Sequence, residues 1–265
     1  MRAKKKRSTV WAGGHALCCE WIPTKTLAKG TLIFLHEGLG SIGQWHDIPE
    51  TLGNVCNYNV LVFDRFGHGQ SSRLPPPYLR SIEYFQFEAQ QTIPNLLDKF
   101  KIDEAVLVGH SDGATIAVMA ASLGDPRIHS VVAEAGHWFV ERQTLASIRS
   151  LIKQWLDSDL QKRLAKYHGD NVEGMFMGWT NLWLNPLFPD FFDVRPKLSA
   201  VTCPLLAIQG KSDKYGSLQQ LEALSGTSGY IEVRALNSCG HWPHNEARET
   251  YIRHVKNFLN NTSKR

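Results

Sequence analysis

No stretch of this 265-residue chain is long and apolar enough to span a bilayer, which excludes a helical membrane protein and predicts no membrane partner. No apolar segment follows the basic N-terminus either. Ser8 to Glu20 is interrupted by Gly13, Gly14 and His15, which is not the pattern of a secretory signal. Cysteine is sparse: Cys18, Cys19, Cys56, Cys203 and Cys239 form an odd set with two neighbours and no Cys-x-x-Cys. That argues against a disulfide framework and for free thiols in a reducing compartment, with cytoplasmic location as the expectation. Cys239, two residues before His241, reads as packing beside a functional loop rather than as a nucleophile. Excess charge is missing too. The net charge is +4, and Lys4, Lys5, Lys6 and Arg7 account for all of it, so there is no basis for a nucleic-acid surface. That basic tail reads as a solvated, poorly ordered terminus. Repeats, low-complexity tracts and dividing linkers are absent.

What is present is a globular composition, 43% hydrophobic and 20% charged, sized for one core or one core with an insertion. Thr9–Ala12 and His15–Ile22 read as strands joined by a Gly13-Gly14 turn. Further strands are expected at Gly30–Leu35, Tyr58–Phe63, Ala105–Val108, Ser130–Glu134, Pro204–Gln209 and Tyr230–Leu236. Helices are expected at 42–54, at 82–100 with a bend at Pro94, at 113–122 and at 217–224, with a closing helix at 246–259. Buried apolar strands alternating with helices imply an α/β fold with a mostly parallel central sheet flanked by helices. Chemistry in such sheets gathers beyond the carboxyl ends of the strands. His36–Gly40, Asp64–Ser71, Ser111 and Glu134–His137 all fall at such ends.

The alternation stops between His137 and Leu198. Helices are expected there at 141–156, 160–167 and 173–184, with many aromatic residues. The expected division is a core of residues 1–136 and 199–265 and a helical cap insertion at 137–198. Most of its aromatics should pack its own interior; Trp138, Trp179 and Trp183 are the candidates for facing a substrate cavity.

The chain is organised around Gly109-His110-Ser111-Asp112-Gly113, a Gly-x-Ser-x-Gly between a β-branched run and an Ala-rich run. The flanking glycines let strand and helix close on each other, and the serine is held out above a helix N-terminus. Ser111, Asp213 and His241 each follow an expected strand, in the order Ser, Asp, His. Asp213 could instead cap the following helix, and Glu134, after the preceding strand, is the alternative acid. His36, His68 and His110 read as loop-bonding residues, and Asp64 with Gly67 and Gly69 as a turn scaffold. The glycine pattern lacks a dinucleotide fingerprint. His36, His241 and His244 lack the paired spacing of a metal site.

Together with His36-Glu37-Gly38-Leu39-Gly40, Asp64-Arg65-Phe66-Gly67-His68-Gly69-Gln70-Ser71, Gly210-Lys211-Ser212-Asp213 and Gly240-His241-x-Pro243, these motifs make the chain resemble an α/β-hydrolase-fold serine hydrolase over residues 9–260. The likeness extends to esterases and to meta-cleavage-product hydrolases with a helical cap. It implies that Ser111, Asp213 and His241 are catalytic, with His241 taking the serine proton and Asp213 orienting it. It also implies an oxyanion hole from the backbone N–H groups of Gly38, with Leu39 as the alternative, and Asp112. No cofactor or metal is expected, and the partner is a small-molecule substrate.

The expected reaction is hydrolysis of a small carboxylic ester or thioester through an acyl-serine. The alternatives are carbon–carbon bond hydrolysis, elimination of the kind run by a menaquinone-pathway synthase, or a slow small-molecule receptor on the same fold. Cofactor-free perhydrolysis is a minor side reaction. Carbon–carbon hydrolysis calls for acid-binding groups, for which Arg142, Arg149 and Arg195 are available in the cap. Glu37 stands where many relatives carry glycine. It either bonds loop backbone or a base such as Arg65, or contacts a polar or cationic substrate group. The sequence leaves the oligomeric state open.

Overall fold

The computed structural model describes residues 6–262. Lys4 and Lys5 of the basic tail lie outside them. Eight strands, β1 (Lys6–Ala12), β2 (His15–Ile22), β3 (Thr31–Leu35), β4 (Asn59–Phe63), β5 (Ala105–His110), β6 (Ile128–Glu134), β7 (Leu205–Gly210) and β8 (Ile231–Leu236), form one sheet in the order β1-β2-β4-β3-β5-β6-β7-β8. β1 and β2 pair antiparallel, as do β2 and β4; every other pairing is parallel.

The apolar runs follow from covering both faces of the sheet. Leu32, Phe34, Val106, Val108, Leu206 and Ile208 pack in one cluster with α1 (Ile48–Cys56) and α12 (Arg248–Thr262). Their neighbours Ile33, Leu35, Leu107, Leu205 and Ala207 point the other way. There they meet α2 (Tyr84–Phe87), α3 (Ile93–Phe100) and α4 (Asp112–Ala121). Between β6 and β7 the chain forms α5 (Arg142–Asp157), α6 (Leu160–His168), α7 (Val172–Trp183), α8 (Phe188–Phe191) and α9 (Arg195–Leu198). The remaining helices are α10 (Gln219–Ala223) and α11 (Pro243–Glu246). Among the described residues no helix is long and apolar enough to cross a membrane.

Three expectations are corrected. The helix expected at 42–54 is a 3-10 turn, Ile42–Trp45, followed by α1, because His46 turns to φ 52° and Pro49 opens a new helix. The helix expected at 82–100 carries a π turn at Glu88–Thr92 just before Pro94, where the missing proline N–H relaxes the ladder. Lys6 and Arg7 are not a free tail but the start of β1, and Arg7 Nε donates to Glu20 Oε2 at 2.8 Å across the β1–β2 pair.

Candidate active site

β5 ends in an abrupt reversal. Ser111 sits at φ 52°, ψ −116° as the N-cap of α4, a conformation that costs about 1–3 kcal/mol and persists only where neighbours enforce it. They do so here. A Cβ on Gly109 would lie 2.3 Å from Gly113 O, and one on Gly113 would lie 2.0 Å from Leu35 O. The Ser111 N–H donates to Glu134 O at 2.8 Å, extending the β5–β6 ladder into the turn. Among the described residues the Ser111 hydroxyl makes no hydrogen bond.

β7 and β8 deliver the other two residues. His241 Nδ1–H donates to Asp213 Oδ2 at 2.8 Å, with both side chains buried. Asp213 Oδ2 also accepts from Gln209 Nε2 at 2.7 Å, and Oδ1 from the Tyr215 N–H at 2.7 Å. Burial pushes this carboxyl up, but the hydrogen bond and charge of His241, with the Tyr215 amide, outweigh it and hold it below the usual range. The His241 ring lies 5.0 Å from that of His110, the residue before Ser111, and 4.6 Å from Tyr215. Glu134 does not reach His241. Its carboxylate accepts from the N–H of His244 at 2.6 Å and from Nδ1–H at 2.8 and 2.9 Å.

The loop after β3 runs alongside. Among the described residues the amides of Gly38 and Asp112 have no hydrogen-bond partner, whereas the Leu39 N–H donates to Glu37 Oε2 at 2.5 Å. Glu37 therefore bonds loop backbone, and burial raises its carboxyl above the usual range. Arg65, fully buried, fastens the loop, donating Nη2–H to Glu37 O at 2.7 Å and His36 O at 3.1 Å. The Arg65 N–H donates to His36 Nε2 at 3.0 Å, and His36 Nδ1–H to Glu37 O at 2.7 Å. His68 Nε2–H donates to Gly38 O at 3.0 Å. His36 and His68 are thus loop-bonding groups, kept neutral first by burial and then by Arg65.

Trp179 of α7 lies against both sides of this loop–elbow junction. Its Nε1–H donates to Asp112 Oδ2 at 3.1 Å, and a Cβ on Gly38 would lie 2.0 Å from the same nitrogen. Trp183 packs edge-on or tilted among Phe85, Phe188 and Phe192, with His137 at 5.5 Å. Trp138 is buried at the end of β6, its N–H held by Gln220 Oε1 at 2.8 Å. The arginines of the helical segment face solvent: Arg142, Arg149 and Arg195 are exposed. The buried cations are Arg65 and half-buried Arg80, which lies 4.5 Å over the Tyr84 ring. Their position after β4 was the one available signal for them. His168 and Asn171, which the sequence did not single out, tie α6 and α7 to the core. His168 accepts from Gly69 N–H and donates to Leu39 O, both at 2.9 Å; Asn171 Nδ2 donates to Gly69 O and Ser71 O.

An opening of about 420 Å³ is lined by Tyr215, His241 and Trp242; another, of about 200 Å³, is lined by Glu37, Trp45, His110, Trp242 and His244. Among the described residues no cluster of His, Cys, Asp or Glu could hold a metal ion.

A family model for the alpha/beta hydrolase fold matches residues 30–200. The chain is similar to the esterase YbfF of Escherichia coli (strain K12), 25% identical over 247 residues, 86% of this chain and 92% of that one. It is also similar to 2-hydroxy-6-oxononadienedioate/2-hydroxy-6-oxononatrienedioate hydrolase 1 of Dechloromonas aromatica (strain RCB), 24% identical over 257 residues, 86% of each. The crystal structure of the enol-lactonase from Burkholderia xenovorans LB400 matches with a TM-score of 0.72 at 20% identity, over 96% of this chain and 100% of that one.

Proposed function

This chain belongs to the alpha/beta hydrolase fold family, and from that premise we propose that it is a serine hydrolase acting on a small carboxylic ester or thioester. The observation that carries the proposal is the buried 2.8 Å Asp213–His241 pair beside the strained turn that presents Ser111. In this reading His241 Nε2 takes the proton as Ser111 Oγ attacks the carbonyl carbon. The imidazolium so formed faces Asp213, whose carboxylate stays ionised and holds the ring by Nδ1. Charge that develops on the carbonyl oxygen is received by the free N–H groups of Gly38 and Asp112 (the latter at the N-terminus of α4), each worth about 3 kcal/mol in the transition state. Collapse expels the alcohol or thiol, which takes the proton from His241. Water, deprotonated by the same imidazole, then releases the acid. In the same reading residues 1–136 and 199–265 form the catalytic core and residues 137–198 the cap, with Trp138, Trp179 and Trp183 on its substrate side. Glu37 serves the site by holding the Leu39 amide.

Carbon–carbon bond hydrolysis is the second reading. It is favoured by buried Arg65, whose Nε has no hydrogen-bond partner among the described residues, and half-buried Arg80, whose Nη1 has none; such cations suit an acidic substrate. The test is fluorophosphonate labelling with a short-chain p-nitrophenyl ester assay, wild type against Ser111→Ala. Labelling and turnover that both vanish in the variant support the ester reading. Labelling without ester turnover moves the assignment to vinylogous diketones, and an unlabelled, folded wild type refutes the assembled triad.

A further inference from the structure

The loop that carries His241 leaves the sheet at Leu236. Asp213 holds the His241 ring, the Glu246 carboxylate accepts the N–H groups of Gly240 at 2.6 Å and Trp242 at 3.1 Å, and the Ser212 N–H donates to Cys239 O at 2.8 Å. Two further side chains reach it, and both belong to residues bound to or flanking Ser111. Glu134 accepts the Ser111 N–H with its backbone carbonyl at 2.8 Å, while its carboxylate holds the backbone and ring of His244 at 2.6–2.9 Å. His110, on the other side of Ser111, donates Nε2–H to His241 O at 2.7 Å. The rings of His110 and His244 lie 5.1 Å apart, and Trp45 packs on His244 at 4.9 Å. The Glu134 and His244 side chains are almost fully buried, 0% and 3% exposed.

A buried carboxylate–imidazole pair is a poor way to gain stability. Hydrocarbon of the same volume does as well or better, because both groups lose their water. What such a pair supplies is direction, since each hydrogen bond fixes an angle as well as a distance. We propose that Glu134, His244 and His110 form a buried brace between the serine turn and the histidine loop, and are positioning residues for His241. The proposal rests on the serine-hydrolase reading for its kinetic consequence, but not for its geometry. His110 pins the loop at residue 241 and Glu134 at residue 244, so the backbone that carries the Asp213-bound imidazole is tied to the serine turn at two points. Glu134, which occupies the alternative acid position, is committed to His244.

The test compares Glu134→Gln, Glu134→Asp and His110→Phe with wild type in the full-length protein. The first readout is proton NMR of the imidazole N–H protons held by carboxylates, which is independent of activity. Asp213→Asn identifies the His241 signal and Glu134→Gln removes that of His244. The brace requires that Glu134→Gln and His110→Phe also shift or broaden the His241 signal; an unmoved signal in both overturns it. The second readout is kinetic. Turnover is expected to fall about 10- to 100-fold at nearly constant KM, as for small misplacements of a reacting group, with Glu134→Asp recovering part of the loss. A lowered melting temperature with undiminished kcat means packing alone and overturns the proposal. Should Glu134→Gln not fold, His110→Phe, which leaves the Glu134–His244 pair intact, decides the matter. An unlabelled wild-type serine refutes the hydrolase reading while the NMR coupling still judges the brace.

Discussion

Every residue of β3, β5 and β7 is buried, whereas the sixteen-residue α5 buries only Thr144 and Ile148. The two regions are held by different means. The strands are covered on both faces, and their ladder bonds lie in the same apolar layer, so hydrophobic burial and backbone pairing reinforce each other. Helices α6 and α7 are also fixed by a few polar side chains: His168 on the backbone of Gly69 and Leu39, Asn171 on the backbone of Gly69 and Ser71, and Trp179 on the Asp112 carboxylate. A core built this way resists change everywhere. A helical segment attached this way can be loosened at single residues.

The harshest way to probe that contrast is at the joint between strand and helix in the core. Gly113→Val puts a branched side chain where even a Cβ would meet Leu35 O at 2.0 Å. A global loss of about 4 kcal/mol or more is expected in urea unfolding, and a loss under 1 kcal/mol would show that the turn is not rigid. Acid probes the segment between β6 and β7 at two points. His137 at the rim and His168 on α6 are each held down to about 4, mainly by burial. The unfolded chain therefore binds more protons than the folded one between about pH 6.5 and 4, and stability falls as pH falls through that window. The limit is on the order of 3 kcal/mol per group. His168→Gln, which keeps an acceptor and a donor, is expected to flatten part of that slope; a slope unchanged by it would place the acid sensitivity at other histidines. The smallest effect belongs to Asn171→Ala, about 1–3 kcal/mol. Amide exchange is expected to quicken in α6 and α7 and not in β3 or β5. Equal quickening in both would erase the distinction between the strands and the helical segment.

The same contrast explains what could be read in advance. Strands with β-branched and leucine-rich runs announce themselves because burial is a local property of composition. The glycines at 109 and 113 announce the turn because sterics are local too. Asp213 and His241 were visible as residues that follow strands, and their 2.8 Å contact joins positions the sheet sets side by side. The restart of α1 at Pro49 and the π turn before Pro94 had local causes that a periodic pattern overrides. The burial of Arg65 and the grip of Asn171 on Ser71 had no local cause. Each depends on a partner 28 or 100 residues away whose position only the folded chain defines. Arg7 is the same case in miniature, since its pairing with Glu20 needs the β1–β2 register.

The helical segment leaves β6 and re-enters at β7, and these are adjacent parallel strands in register from Val131–Leu205 to Glu134–Ile208. Any two neighbouring parallel strands need a crossover of a dozen residues or more, and closing a longer loop costs only slowly more entropy. The sheet is therefore indifferent to how much chain is spent at this point. New helices can be grown, trimmed or exchanged there without renegotiating the register of a single strand. The place most open to such remodelling is also the one whose Trp179 touches Asp112, the residue after the serine, so sequence change there can accumulate where it disturbs folding least.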